Sequence, residues 1–311
     1  MCIRIDDYPT MPRLTIHHKT VYRYTRPVAF GEHRIMLRPL PGHDLRIRAS
    51  QLEIEPKPMQ LRWIHDVFGN TVAIATFDER AEELSFTATA TVEHTPAEEF
   101  ALTPDDPAYF YPFRYDDEEY PDLLQFVTPQ YGDPNGELSA WARQFLDAEA
   151  PTPTFKILSG MTHGIRKAFS YRKRHEQGTQ HPLDTLRTRS GSCRDYALFM
   201  IEALRRLGIA ARFVSGYIFV PDDGDGHVGG GSTHAWVQVY LPSAGWIEFD
   251  PTNGIVGTRD LIRVAVARDP RQAIPLHGTY LGSPDAFAEM EVSIAVSVDD
   301  EQAEAPQVEQ V

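Results

Sequence analysis

Three residue types that together perform nucleophilic catalysis stand in the second half of this 311-residue chain: Cys193, His234 and Asp250. A thiolate attacks an amide carbonyl once a base has taken its proton. A histidine supplies that base, and a carboxylate fixes the tautomer of the ring and stabilises its charged form. Two plainer accounts compete. A free cysteine is often a small buried hydrophobe. A zinc site on Cys193 and His234 would need three or four ligands, and no second cysteine lies nearby.

The elements around these residues can bring them together. After Cys193 the apolar residues Ala197, Met200, Ile201 and Leu204 recur at helical spacing, and Gly208 closes the helix. Gly191 and Ser192 supply a turn and an N-cap. Cys193 therefore falls in the first helical turn, where about half a positive charge favours a thiolate. Thr233 to Tyr240 reads as a strand with His234 near its start, and Gly245 to Asp250 as a second. The turn residues Pro242-Ser243-Ala244-Gly245 join them, so His234 and Asp250 fall at one end of a hairpin.

The run Gly191 to Ala197, the segment His234-Ala235-Trp236 and the block Phe249-Asp250-Pro251-Thr252 together resemble the transglutaminase-like core, in the order Cys, His, Asp. That superfamily has a papain-like fold. It includes protein-crosslinking transglutaminases, peptide N-glycanases and bacterial transglutaminase-like cysteine proteases. The resemblance implies Cys193 as nucleophile, His234 as base and acid, Asp250 as the orienting carboxylate, and neither cofactor nor metal. Asp195 matches a position with a structural role. These blocks do not separate hydrolysis from transglutamination.

Upstream, residues 12–96 read as a small all-β sandwich. Leu84, Phe86, Ala88, Ala90 and Val92 alternate with polar residues as in a half-buried strand. Asp66 to Asn70 is a turn between apolar runs, and Leu14 to Tyr24 opens the module as another strand. Tyr22-Arg23-Tyr24, Leu37-Arg38-Pro39 and Asp66-Val67-Phe68-Gly69-Asn70 resemble the N-terminal region that precedes the bacterial transglutaminase-like core. His17 and His18 are adjacent on a strand and so point to opposite faces, which argues against a metal pair.

Residues 97–135 form an acidic, Pro- and aromatic-rich connector, read as an ordered linker laid over the domain junction or as a substrate-binding platform. Leu138, Trp141, Phe145 and then Leu158, Met161, Ile165, Phe169 mark helices of the core domain, assigned to 136–298. Arg172 to Gly178 is a basic stretch, read as a solvated loop or as an electropositive wall beside Cys193. Asp222 to Gly231 is a glycine-rich acidic loop ahead of His234. Leu261 to Ala267 and Met290 to Val298 read as strands that extend the core sheet. Residues 299–311 read as an acidic disordered tail.

Charge narrows the partners. Ten acids and one base between 97 and 134, with five acids in the tail, account for the whole net charge of −14. Such a chain is a poor partner for nucleic acid or an anionic membrane surface. No window approaches the roughly 20 apolar residues of a membrane helix. Met1 to Tyr8 holds no apolar leader core, and Cys2 and Cys193 make no disulfide framework. These features lead to the expectation of a cytoplasmic protein.

The sequence thus points to an α+β protein: a papain-like, transglutaminase-like core behind a small β-sandwich. The expected function is cysteine-dependent acyl transfer on protein or peptide amides through a thioester. Hydrolysis is favoured over crosslinking, because the glycine-rich acidic segment before His234 suggests a wet rim, whereas crosslinking needs a walled, apolar amine tunnel. Transglutamination and a non-catalytic binding module are the alternatives.

Overall fold

A computed structural model describes residues 13–95, 101–174, 178–220, 231–258 and 260–298. The leader reading of Met1 to Tyr8, Cys2, residues 175–177 of the basic stretch, 221–230 of the glycine-rich loop and the acidic tail lie outside the described residues.

The N-terminal module is organised by one long strand, β1 (Arg13–Ile35), followed by β2 (Leu45–Glu55), β3 (Gln60–His65), β4 (Thr71–Thr76) and β5 (Arg80–His94). The sheet order is β2-β5-β1-β4-β3. The register on β1 shifts between Arg23 and Val28, so its first half pairs with β5 and His33 to Ile35 with β4. Ile54, Leu84 and Phe86 share one core with Phe30, Ile35, Ala73 and Ala75, so residues from both halves enclose a common interior. The sandwich is therefore one continuous sheet doubled over its longest strand. His18 is buried and bonded through Nδ1 to Tyr217 Oη at 3.0 Å, while His17 is exposed, as strand alternation requires.

The other edge of β1 overturns one assignment. The strand Phe287–Val298 pairs antiparallel with β1 from Leu14↔Val298 to Tyr24↔Phe287, and Leu276–Leu281 pairs with the second half of β1. The chain's last strands thus return to the N-terminal sheet instead of extending the core sheet. The core domain does not run unbroken to residue 298. An alternating pattern identifies a strand but not its partner, and the unpaired N–H and C=O groups along β1 offered an edge to complete.

The core sheet has the order Ile255–Val256, Gly245–Asp250, His234–Leu241, Ala211–Ile218, Leu261–Ala267, all antiparallel. Five helices accompany it among the described residues: α1 (Tyr120–Val127), α2 (Glu137–Arg143), α3 (Thr154–Ala168), α4 (Pro182–Thr188) and α5 (Cys193–Arg206). Helix α5 is the centre of the core. Phe199, Met200, Ile201 and Leu204 are fully buried, and each such side chain contributes roughly 1.5–3 kcal/mol.

The connector is ordered where described, and it contains α1, which its proline and acid content concealed. Leu123 and Phe126 pack with Ala210 and Trp246. Buried Glu202 on α5 accepts from the backbone N–H groups of Gln130 and Tyr131. The two modules share an interior: Leu14, Ile16, Ile74 and Val92 belong to the same apolar cluster as Phe199 and Phe213. The Asn70 amide adds two buried bonds across the junction, accepting from Val266 N at 2.8 Å and donating to Val266 O at 2.7 Å.

Candidate active site

Helix α5 starts at Cys193 because Ser192 and Asp195 form a capping box. Asp195 Oδ2 accepts from Ser192 N at 2.8 Å and Ser192 Oγ at 2.9 Å. Its other oxygen accepts from Gln180 N and from Arg174 Nη1 at 2.9 Å. Asp195 therefore ties the turn that holds the thiol to the preceding loop, the structural role read from the sequence. Arg174, with its side chain 13% exposed, belongs to this buried pair and not to a solvated loop. Gly191 is required by close approach, since a Cβ there would stand 2.8 Å from Asp195 Cβ and 2.9 Å from Gln180 Nε2.

The hairpin brings the other two candidates to the thiol. Val237 faces Phe249 across its two strands, which sets His234 and Asp250 at one end. His234 Nε2 and Asp250 Oδ2 are 2.7 Å apart. Cys193 is 6% exposed, His234 1% and Asp250 0%. Asp250 Oδ1 also accepts from Thr252 N at 2.8 Å, and Oδ2 from Asn253 Nδ2 at 2.8 Å. His234 Nδ1 is buried and makes no conventional hydrogen bond. The Cys193 side chain nevertheless acts on this ring electrostatically. With Nε2 given to Asp250, Nδ1 is the nitrogen left for the thiol.

Burial alone would discourage a proton on His234. The charge and hydrogen bond of Asp250, then the Cys193 side chain, outweigh it and hold the imidazole pKa well above its ordinary value. Burial pushes the other way on Asp250, where the charge and hydrogen bond of His234, helped by Asn253 and Thr252 N, keep the carboxyl low. The arrangement holds the imidazole between a carboxylate and the thiol at a helix N-terminus, so a proton transferred to the ring is stabilised there.

Three residues at this site were not singled out from sequence. Tyr171 is placed by a two-residue parallel bridge, Ser170–Tyr171 against Ser190–Gly191. The bridge sets Tyr171 beside Gly191, two residues from Cys193. Burial first, then the charge of Cys193, raise the pKa of that phenol. Asn253 braces Asp250 from the turn beyond it. Trp236 stacks on His234 with ring centroids 5.9 Å apart. Only Trp236 left a signal, its position two residues after His234 on the same strand face.

Comparison with known proteins places the fold in a family. Residues 14–93 match the bacterial transglutaminase-like N-terminal region, and residues 140–251 match the transglutaminase-like superfamily. This is a bacterial transglutaminase-like protein. An uncharacterised protein of Mycobacterium tuberculosis is 28% identical over 91% of this chain and 92% of its own length. The protein-glutamine gamma-glutamyltransferase of Pseudomonas aeruginosa is 38% identical over 23% of this chain and 11% of its own length. The crystal structure of a candidate cysteine protease from Cytophaga hutchinsonii matches with a TM-score of 0.68 at 20% identity, over 94% of this chain and 93% of that one. That likeness shows the shared fold, N-terminal module included. Among the described residues, no helix of this bacterial transglutaminase-like protein is long and apolar enough to cross a membrane.

Proposed function

We propose that this protein is a cysteine-dependent enzyme that cleaves amides of proteins or peptides through a thioester on Cys193, with water as the usual acceptor. The observation that carries the reading is the buried imidazole whose Nε2 is bonded to Asp250 and whose Nδ1 is left for the thiol. The thiol proton passes to His234, and the sulfur attacks the carbonyl carbon. The resulting oxyanion collapses, the C–N bond breaks, and the departing amine takes the proton from His234. Neutral His234 then takes a proton from water, which attacks the thioester and releases the acid and Cys193.

The oxyanion needs donors placed where its charge develops. The Cys193 backbone N–H, in the first turn of α5, is one. The Tyr171 hydroxyl is the second donor in this reading, because the Ser170–Tyr171 bridge to Ser190–Gly191 sets it next to the turn that carries Cys193. Tyr171→Phe is expected to lower kcat by roughly 10²-fold, with a much smaller change in KM, the size found when one oxyanion donor is lost. Steady-state kinetics of the variant checks this, and an unchanged kcat removes Tyr171 from the role.

Crosslinking is the second reading, favoured by the local similarity to the Pseudomonas aeruginosa gamma-glutamyltransferase. The two are separated by how the thioester partitions. The protein is incubated with a glutamine-containing peptide and rising primary amine, and products are read by mass spectrometry. Hydrolysed product should dominate at millimolar amine. Dominance of the amine-coupled product would make the protein a transglutaminase.

A further inference from the structure

The strand Gly245–Asp250 carries two buried carboxylates two residues apart, hence on one face: Glu248 and Asp250. The facing strand carries two rings with the same spacing, Trp236 and His234. Asp250 holds His234. Glu248 does the same for the neighbouring ring, accepting from Trp236 Nε1 at 3.0 Å. The rings lie nearly parallel, with an interplanar angle of 26°. Trp236 lies over Gly216, where a Cβ would come within 2.6 Å of its Cη2.

Glu248 is in turn linked through Arg263 to the N-terminal module. Its Oε1 accepts from Gln238 Nε2 at 2.9 Å and from Arg263 Nη1 at 2.8 Å. The same guanidinium grips Asp44, in the loop after β1, through Nη1 at 2.9 Å and through Nη2. Gly42 leaves room for this pair, since a Cβ there would stand 2.7 Å from Asp44 Oδ1 and 2.8 Å from Arg263 Nη2. Leu40 and Phe68, also from the N-terminal module, pack into the apolar cluster of Trp236. Asp44, Glu248 and Trp236 are all buried.

We propose that Asp44, Arg263 and Glu248 are positioning residues for His234, so that the N-terminal module sets the ring on which acyl transfer depends. The inference rests on the reading of His234 as the base. A buried carboxylate needs its partners. Arg263 and Gln238 occupy one oxygen of Glu248 and leave the other for Trp236, whose ring backs the imidazole. Loss of Asp44 frees the guanidinium to pull on Glu248, and the displacement passes through Trp236 to His234. A shift of about 1 Å at a reacting group can cost 10²-fold.

The test is the rate at which iodoacetamide alkylates Cys193 in the full chain at pH 7, read by mass spectrometry well below the unfolding temperature of each variant. His234→Ala should slow alkylation at least about tenfold. Asp44→Asn, and Trp236→Phe, which keeps a ring but loses the bond to Glu248, should each slow it about three- to tenfold, within what misplacement can cause. Asp285→Asn, at an exposed ion pair of the N-terminal module, should leave the rate unchanged. If Asp44→Asn does not fold, Trp236→Phe decides. Wild-type rates in Asp44→Asn and Trp236→Phe beside a slow His234→Ala would overturn the positioning role and leave the base reading intact. A wild-type rate in His234→Ala would overturn the base reading itself.

Discussion

Cys193→Ala and His234→Ala are each expected to lose essentially all of the proposed acyl transfer, roughly 10⁶-fold in kcat, and the double variant no more than either alone. Nucleophile and base act as one unit, so removing one idles the other. Asp250→Asn is expected to lose less, roughly 10⁴-fold, because in this reading the carboxylate orients and stabilises the ring without itself reacting. The measurement is cleavage of an amide substrate by the three single variants and the double, beside thermal unfolding of each. The unfolding curves matter because these side chains are buried. Cys193→Ala should melt close to wild type. His234→Ala strands a buried carboxylate that keeps, among the described residues, Asn253 and Thr252 N as donors, and should be destabilised by about 1–3 kcal/mol. A His234→Ala protein that cleaves at more than a hundredth of the wild-type rate would refute the assignment.

The pH profile of kcat/KM is expected to keep its alkaline limb well above the ordinary imidazole range, and Asp250→Asn to move that limb down by roughly 1–3 pH units. The reason is the competition at His234. Burial opposes the charged ring, and Asp250 is the largest group that overcomes it. Without that charge, burial prevails and the proton needed by the departing amine leaves earlier. Because the folded pKa lies above the unfolded value of 6.5, the protonated ring also stabilises the fold. That contribution is complete below 6.5 and is lost as pH rises through the raised value. Asp250 works in the opposite window, its contribution present above the unfolded carboxyl value and lost as pH falls through the lowered one. Wild type and Asp250→Asn are compared by displacement of the whole profile, since interacting groups titrate together. An Asp250→Asn profile superimposable on wild type would contradict this account.

What the sequence determined by itself is local. Cys193 sits in a first helical turn because Ser192 and Asp195 cap it, and capping is written in residues three apart. His234 and Asp250 share a hairpin end because a tight turn separates two short strands, and register follows from turn length. The helical stripes, the turn at Asp66 to Asn70 and the opposed faces of His17 and His18 were legible for the same reason. Each depends on neighbours a few positions away.

What only the tertiary structure decided are contacts between distant parts of the chain. Alternation in Phe287–Val298 marked a strand, but edge pairing has no sequence period, so its return to β1 was invisible. The helix α1 lay hidden in an acidic, proline-rich stretch because its stability comes from Leu123 and Phe126 packing on Ala210 and Trp246 rather than from its own propensities. Tyr171 reaches Cys193 through a two-residue bridge too short to leave a pattern. The line from Asp44 through Arg263 and Glu248 to Trp236 joins residues whose charges, read singly, are ordinary surface charges. Only burial of the junction between the two modules turns them into partners, because a charge removed from water must find its counter-charge in whatever part of the chain the fold sets beside it.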